Sequence, residues 1–138
     1  MTVTFTVHGT PAPKGSKSLS VRGGRPHMYE SSKKERPWAQ QVYWTAREFA
    51  PPQPWSGAIE LDVTFFIHRP QRLGKTRTGV LAVTGFDTDK GARSCGDALT
   101  GLFYFDDKQV SDLHARKRYA DFGQPTGAEI TVTRLEAA

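Results

Sequence analysis

The chain opens with strict alternation. Val3, Phe5 and Val7 fall on one side of an extended backbone and Thr2, Thr4 and Thr6 on the other, a strand pattern rich in β-formers. Gly9-Thr10-Pro11-Ala12-Pro13 ends it. Ser18–Val21 and His27–Tyr29 read as a short hairpin around Arg22-Gly23-Gly24-Arg25, because a Gly-Gly pair suits a tight turn. Ser31 or Ser32 then supplies a helix cap, with Glu35 at capping-box distance from Ser32 and Pro37 tolerated in the first turn. Trp38, Val42, Thr45 and Phe49 recur at helical spacing, so this stripe is assigned to the core, and the helix stops before Pro51-Pro52-Gln53-Pro54.

Ala58–His68 is the clearest strand: Ile59, Leu61, Val63, Phe65 and Ile67 alternate with Glu60, Asp62, Thr64 and His68. Arg69 to Gly79 is a basic loop rich in Pro and Gly. A short helix runs from Asp89 to about Thr100 with an Asp cap, although Gly91 and Gly96 each weaken it by roughly 1 kcal/mol relative to Ala. On that helix Asp89, Arg93 and Asp97 share one face. Two further strands follow, Gln109–Tyr119 and Glu129–Leu135, joined by a turn over Gly123–Gly127. This order predicts an α+β fold. A mixed or antiparallel sheet carries one long and one short helix, in a single domain over residues 1–138.

Composition removes several classes. Three Trp, eight Phe and four Tyr in 138 residues supply enough apolar area for one packed core, which argues against disorder. No apolar run approaches the roughly 20 residues of a membrane span, so no membrane partner is expected. Residues 1–5 show no basic region followed by an apolar core, so no secretory signal is expected. Cys95 is the single cysteine, which excludes an internal disulfide and a cysteine-built metal site, and points to a reducing, cytoplasmic setting. His8, His27, His68 and His114 show no metal spacing and are assigned structural or surface roles. No organic cofactor is suggested.

Charge changes the picture. The net charge is +5, with a sequence pI near 9.6, which favours a polyanionic partner. Yet six of the eight Asp (87, 89, 97, 106, 107 and 112) lie within 26 residues, so the rest of the chain is more basic than the total suggests. A basic protein that concentrates carboxylates is suited to divalent-metal chemistry on phosphodiesters. Oxygen ligands hold Mg²⁺, which activates water and offsets charge on the phosphate. Each piece alone reads as an acidic helix cap or a surface turn; their co-occurrence with a cation between them is what carries the inference.

Asp87-Thr88-Asp89-Lys90-Gly91-Ala92-Arg93 and the run from Asp97-Ala98-Leu99 to Asp106-Asp107-Lys108-Gln109-Val110 together resemble the RusA-type Holliday junction resolvases. That family shows Asp-x-Asp-Asn, a Lys four residues after the second Asp, then Asp-Ala-Leu, a short apolar run and Asp-Asp-x-Gln-Val. Gly9-x-Pro11-x-Pro13-Lys14-Gly15 is similar to its opening segment. The resemblance implies a small homodimeric endonuclease that resolves four-way DNA junctions by paired nicks with Mg²⁺, with Mn²⁺ as a substitute. The pathway that the resemblance implies is DNA recombination and repair or the processing of replicated DNA, with host and prophage origins both left open. It also implies Asp87, Asp89 and Asp107 as the essential acidic residues, with Asp106 as a further ligand or turn former and Asp97 supporting the helix.

Two positions depart from the family pattern. Lys90 replaces the Asn, placing a cation beside the carboxylates. Arg93 replaces the Lys; it keeps the charge for clamping a phosphate but cannot readily donate a proton at neutral pH. The basic residues Lys14, Lys17, Arg22, Arg25, Arg69, Arg72, Lys75, Arg77 and Lys90 are the candidate DNA contacts. No base-reading motif is visible, so branched shape rather than sequence should govern affinity. A catalytically weakened junction binder, a broader structure-specific nuclease and a small basic structural protein are the competing readings.

Overall fold

The computed structural model describes residues 1–13, 17–22, 25–30 and 35–135, with side chains over 1–13 and 37–135. Among the described residues there are six strands and two α-helices: β1 (Thr2–His8), β2 (Lys17–Arg22), β3 (Arg25–Glu30), α1 (Glu35–Phe49), β4 (Ile59–Ile67), α2 (Thr88–Leu99), β5 (Val110–Tyr119) and β6 (Gly127–Arg134). The main sheet has the order β1-β6-β4-β5. β6 pairs antiparallel with both β1 and β4, whereas β4 and β5 are parallel. The fold is α+β with a mixed sheet. Strands β2 and β3 form the separate antiparallel pair expected of the hairpin; its Gly23-Gly24 turn, the caps at Ser31 and Ser32, and Lys14 lie outside the described residues.

One face of the sheet is apolar. Phe5, Val7, Ile59, Leu61, Val63, Phe65, Ile130 and Val132 are buried there against Trp38, Val42 and Ala46 of α1 and Cys95 and Leu99 of α2. The other face is polar, with Thr4 bonded to Thr131 at 2.9 Å and Arg116 to Asp62 at 2.9 Å across neighbouring strands. The alternation read from Thr2–Val7 and Ile59–Ile67 is thus the alternation of burial.

Three expectations need correction. The core stripe of α1 is Trp38, Val42 and Ala46, at four-residue steps; Thr45 is half-buried and Phe49 lies at the edge, where its ring stacks on Phe5 at 5.6 Å. Ala46 continues the four-residue step of Trp38 and Val42 and so completes the buried stripe in place of Thr45 and Phe49. Helix α2 starts one residue earlier than the expected Asp89: Asp87 is extended at the N-cap position, and Thr88 and Asp89 are already helical. Gln109 is not in the strand either; it belongs to a 3₁₀ turn over Asp107–Gln109.

Two glycines are demanded by close approach. Gly127 (φ 154°) starts β6 where a Cβ would run into the Val7 carbonyl of the adjacent strand. Gly91 is helical, and its missing Cβ is the seat of an aromatic ring: a Cβ there would lie 2.5 Å from the Phe86 ring and 3.0 Å from Phe65. The propensity cost noted above therefore allows α2 to sit on Phe86. Replacing a helical Gly by Ala ordinarily gains up to about 1 kcal/mol. Here overpacking reverses the sign, and Gly91→Ala should destabilise the domain by about 1–3 kcal/mol in urea unfolding.

Candidate active site

Helix α2 presents its chemistry on one side. Asp89, Arg93 and Asp97, spaced four apart, are exposed, while Gly91, Ala92, Ser94, Cys95, Gly96 and Leu99 are buried. Burial pushes the Cys95 thiol up to about 12, which keeps it neutral and inert within the core. Asp87 occupies the N-cap position but its side chain makes no capping bond. Its carboxylate is 71% exposed and faces Lys90 at 3.8 Å. The carboxylate at this position is therefore not consumed by the helix, and Lys90 lies beside it as the sequence suggested.

The second acidic element is a tight turn. Asp106 accepts a 2.8 Å bond from the Lys108 N–H, which holds its carboxyl below the usual carboxylate range. Gln109 Oε1 accepts from the N–H groups of Phe105 (2.8 Å) and Asp106 (3.0 Å), and Gln109 Nε2 donates to the carbonyls of Trp55 (2.8 Å) and Gly57 (2.9 Å). A single amide thus ties the turn to the segment leading into β4. Asp107, next in the turn, is exposed.

Between α2 and β5 lies an open groove of about 240 Å³. Arg93, Asp97 and Asp107 bring charge into it, and Leu61, Val110 and Leu113 form its apolar wall. The structure therefore brings Arg93 and Asp107 to one groove, with Asp89 one helical turn away from Arg93. Asp87 and Asp89 sit at the start of that helix and do not line the groove.

Comparison with known proteins bears on this arrangement. The family profile described as "Endodeoxyribonuclease RusA" matches residues 8–133. The chain belongs to the RusA endodeoxyribonuclease family. It is also 31% identical over 127 residues to the "Uncharacterized protein YqaN" of Bacillus subtilis (strain 168), covering 86% of this chain and 89% of that protein. The RusA family comprises Holliday junction resolvase nucleases, which act on branched DNA and are typically metal-dependent. Among the described residues no helix is long and apolar enough to cross a membrane.

The basic candidates of this RusA-family chain divide by what they touch. Arg69 is occupied: its guanidinium donates to the carbonyls of Gly74 (2.9 Å), Arg77 (2.8 Å), Ala120 (3.3 Å) and Leu73 (3.4 Å), shaping the basic loop from within. Arg72, Lys75 and Arg77 on that loop are exposed, with Lys75 over the Phe122 ring at 5.4 Å. For Lys17, Arg22 and Arg25 only the strand backbone is described, and Lys14 lies outside the described residues.

Sequence reading set His114 aside, but the structure places it in a group. Glu60, Asp112 and His114, on the polar sheet face, have potential ligand atoms all within 4.8 Å of one another, and His114 Nε2 is 3.0 Å from Asp112 Oδ1. Among the described residues this is the group of three gathered so closely; Asp87, Asp89 and Asp107 are not. The period-two spacing of Asp112 and His114 on a strand was the available signal. Their pairing with Glu60 was hidden, because it depends on a register shift at the start of β5 that sets Asp112 opposite Glu60. Gln109 was likewise quoted only as a motif letter, its four bonds being invisible in sequence. Gln109→Ala should cost roughly 0.5–1.5 kcal/mol in urea unfolding, because a partly exposed turn loses the four bonds that order it and tie it to residues 55 and 57.

Proposed function

We propose that this protein is a Mg²⁺-dependent endonuclease that resolves four-way DNA junctions by paired nicks, with Mn²⁺ able to substitute. The observation that carries the reading is the convergence of Arg93, Asp97 and Asp107 on one groove, beside a helix that begins with Asp87 and Asp89, in a RusA-family chain. Asp87, Asp89 and Asp107 are the residues that would hold the metal. The donor chemistry fits: they are exposed carboxylates, and Mg²⁺ takes one or two such groups with waters and substrate phosphate rather than a closed protein cage. When bound, the ion supplies an activated water and compensates charge on the scissile phosphate. The Asp106 carboxylate is engaged by the Lys108 N–H of the turn, and Asp106 is assigned as support for Asp107 and as a further ligand.

Arg93 acts as an electrostatic clamp on the phosphate, a role that its permanent charge and paired donors suit. Arg72, Lys75, Arg77 and Lys90, together with Lys14, Lys17, Arg22 and Arg25, provide the backbone-binding surface. Arg69 contributes by shaping the loop that presents its neighbours. A homodimer supplies two such sites, one for each nick, and the work is done on recombination or repair intermediates in the cytoplasm. The rival reading of a weakened junction binder is favoured by one observation, the Lys90 ammonium 3.8 Å from Asp87, which competes with a metal for that carboxylate.

The test is cleavage of a synthetic four-way junction beside linear duplex. Paired nicks confined to the junction in Mg²⁺, absent in EDTA, are expected. Asp89→Asn should lower the rate by more than about 100-fold, beyond what losing an outer partner of a metal site costs. Tight binding without cleavage in either Mg²⁺ or Mn²⁺ would instead establish the binder.

A further inference from the structure

The segment that delivers the chain into Asp87 is fastened to β5 by backbone bonds and by two β5 side chains, Tyr119 and Lys117. Backbone bonds from Tyr119 N–H to the Val80 carbonyl (2.9 Å) and from Ala82 N–H to the Lys117 carbonyl (2.9 Å) lay residues 80–82 along the edge of β5. Beyond Ala82 the ladder stops. The Tyr119 hydroxyl then takes over, accepting from Val83 N–H (3.3 Å) and bonding Thr84 Oγ1 (2.9 Å). Last comes Lys117. Its ammonium donates to the carbonyls of Thr84 and Phe86, both at 2.6 Å, and lies 5.5 Å from the centre of the Phe86 ring.

Gly85, between those carbonyls, has φ of 87°, a conformation suited to Gly that turns both carbonyls toward one cation. The Phe86 ring meets Phe65 edge-on at 5.1 Å and fills the space beside Gly91. Asp87 follows directly, with its carbonyl accepting the first helical bond from Gly91 N–H at 3.1 Å. The residue before Asp87 is therefore fixed at its carbonyl and at its ring, and the helix after it is fixed by Gly91.

We infer that Lys117 is a positioning residue for the acidic site: its ammonium holds the Thr84–Phe86 carbonyl turn and thereby sets the direction from which Asp87 and Asp89 present their carboxylates. This rests on the assignment of those carboxylates to the metal. Lys117 does not touch substrate or metal in this account. It acts through two carbonyls that close on one ammonium nitrogen at 2.6 Å each, a spacing that the larger planar guanidinium would widen. Arg116 and Arg118, its neighbours in the basic run, are engaged elsewhere. Arg116 pairs with Asp62 (2.9 Å) and Arg118 with Asp121 (3.1 Å).

The experiment compares full-length wild type with Lys117→Met, Lys117→Arg, Asp89→Asn and a charge-removal control on the exposed side of α1, Arg47→Met. Two quantities are read: Mn²⁺ affinity by electron paramagnetic resonance and backbone amide shifts by NMR. For Lys117→Met, Mn²⁺ affinity should fall at least about fivefold. Amide shifts should concentrate on residues 84–89 while the dispersed spectrum of a folded domain is kept. Lys117→Arg should not restore wild-type affinity, and Arg47→Met should change neither quantity. Wild-type Mn²⁺ affinity in Lys117→Met with unshifted amides at 84–89 would overturn the inference. If Asp89→Asn also binds Mn²⁺ like wild type, the metal assignment falls. The amide shifts then decide Lys117 alone: a change confined to 84–89 upholds the positioning role, and its absence refutes it. Where Lys117→Met proves too unstable to record, Lys117→Gln replaces it under the same two readouts.

Discussion

The Phe86 ring is the pivot on which α2 sits. It fills the place where any residue but Gly91 would carry a Cβ, and it meets Phe65 of the central strand β4 edge-on at 5.1 Å. This contact fixes the height of the helix over the sheet at its first turn, where Asp87 and Asp89 lie. Aromatic burial is among the larger single contributions to a small core, and the edge-to-face geometry adds to it. The long connection from β4 to α2 could otherwise enter the helix in many ways. The ring and the carbonyls gripped by Lys117 select one.

The same economy recurs at the other acidic element. Gln109 uses both amide donors and both acceptor positions of its carbonyl to pin the 105–109 turn to residues 55 and 57. Each acidic segment is therefore held by a residue that is not itself acidic, and the carboxylates proposed for metal are left exposed. Asp87 illustrates the division: it stands at a helix cap yet its side chain does not cap. A carboxylate spent on backbone N–H groups would be a poorer metal ligand, so structural and chemical duties are separated onto different side chains.

Much of this was legible from residues. The alternation of Thr2–Val7 and Ile59–Ile67, the hairpin pattern of residues 18–29 and the acidic motifs foretold the strands of the main sheet, the β2–β3 pair and the family. What escaped has physical causes. The α1 stripe differed because steps of three and of four residues both suit a helix, and only the packed partner surface selects Ala46 over Thr45. The roles of Lys117 and Arg69 were hidden because a cation that grips backbone carbonyls looks, in sequence, like any solvated charge. Arg69 was placed among the DNA contacts for that reason. The Glu60–Asp112–His114 group required knowledge of strand register, which a parallel pair joined through a helix does not encode locally.

Two carboxylate-bearing surfaces now compete for a divalent ion: the α2 side with Asp87, Asp89 and Asp107, and the polar sheet face with Glu60, Asp112 and His114. The reading of this protein as a junction nuclease requires the first. Paramagnetic broadening of backbone amides by substoichiometric Mn²⁺ locates the ion directly. Loss of signal centred on residues 87–93 and 106–108, with 60, 112 and 114 retained, is the predicted result. Broadening centred on residues 60, 112 and 114 while Asp87–Arg93 stay sharp would contradict it.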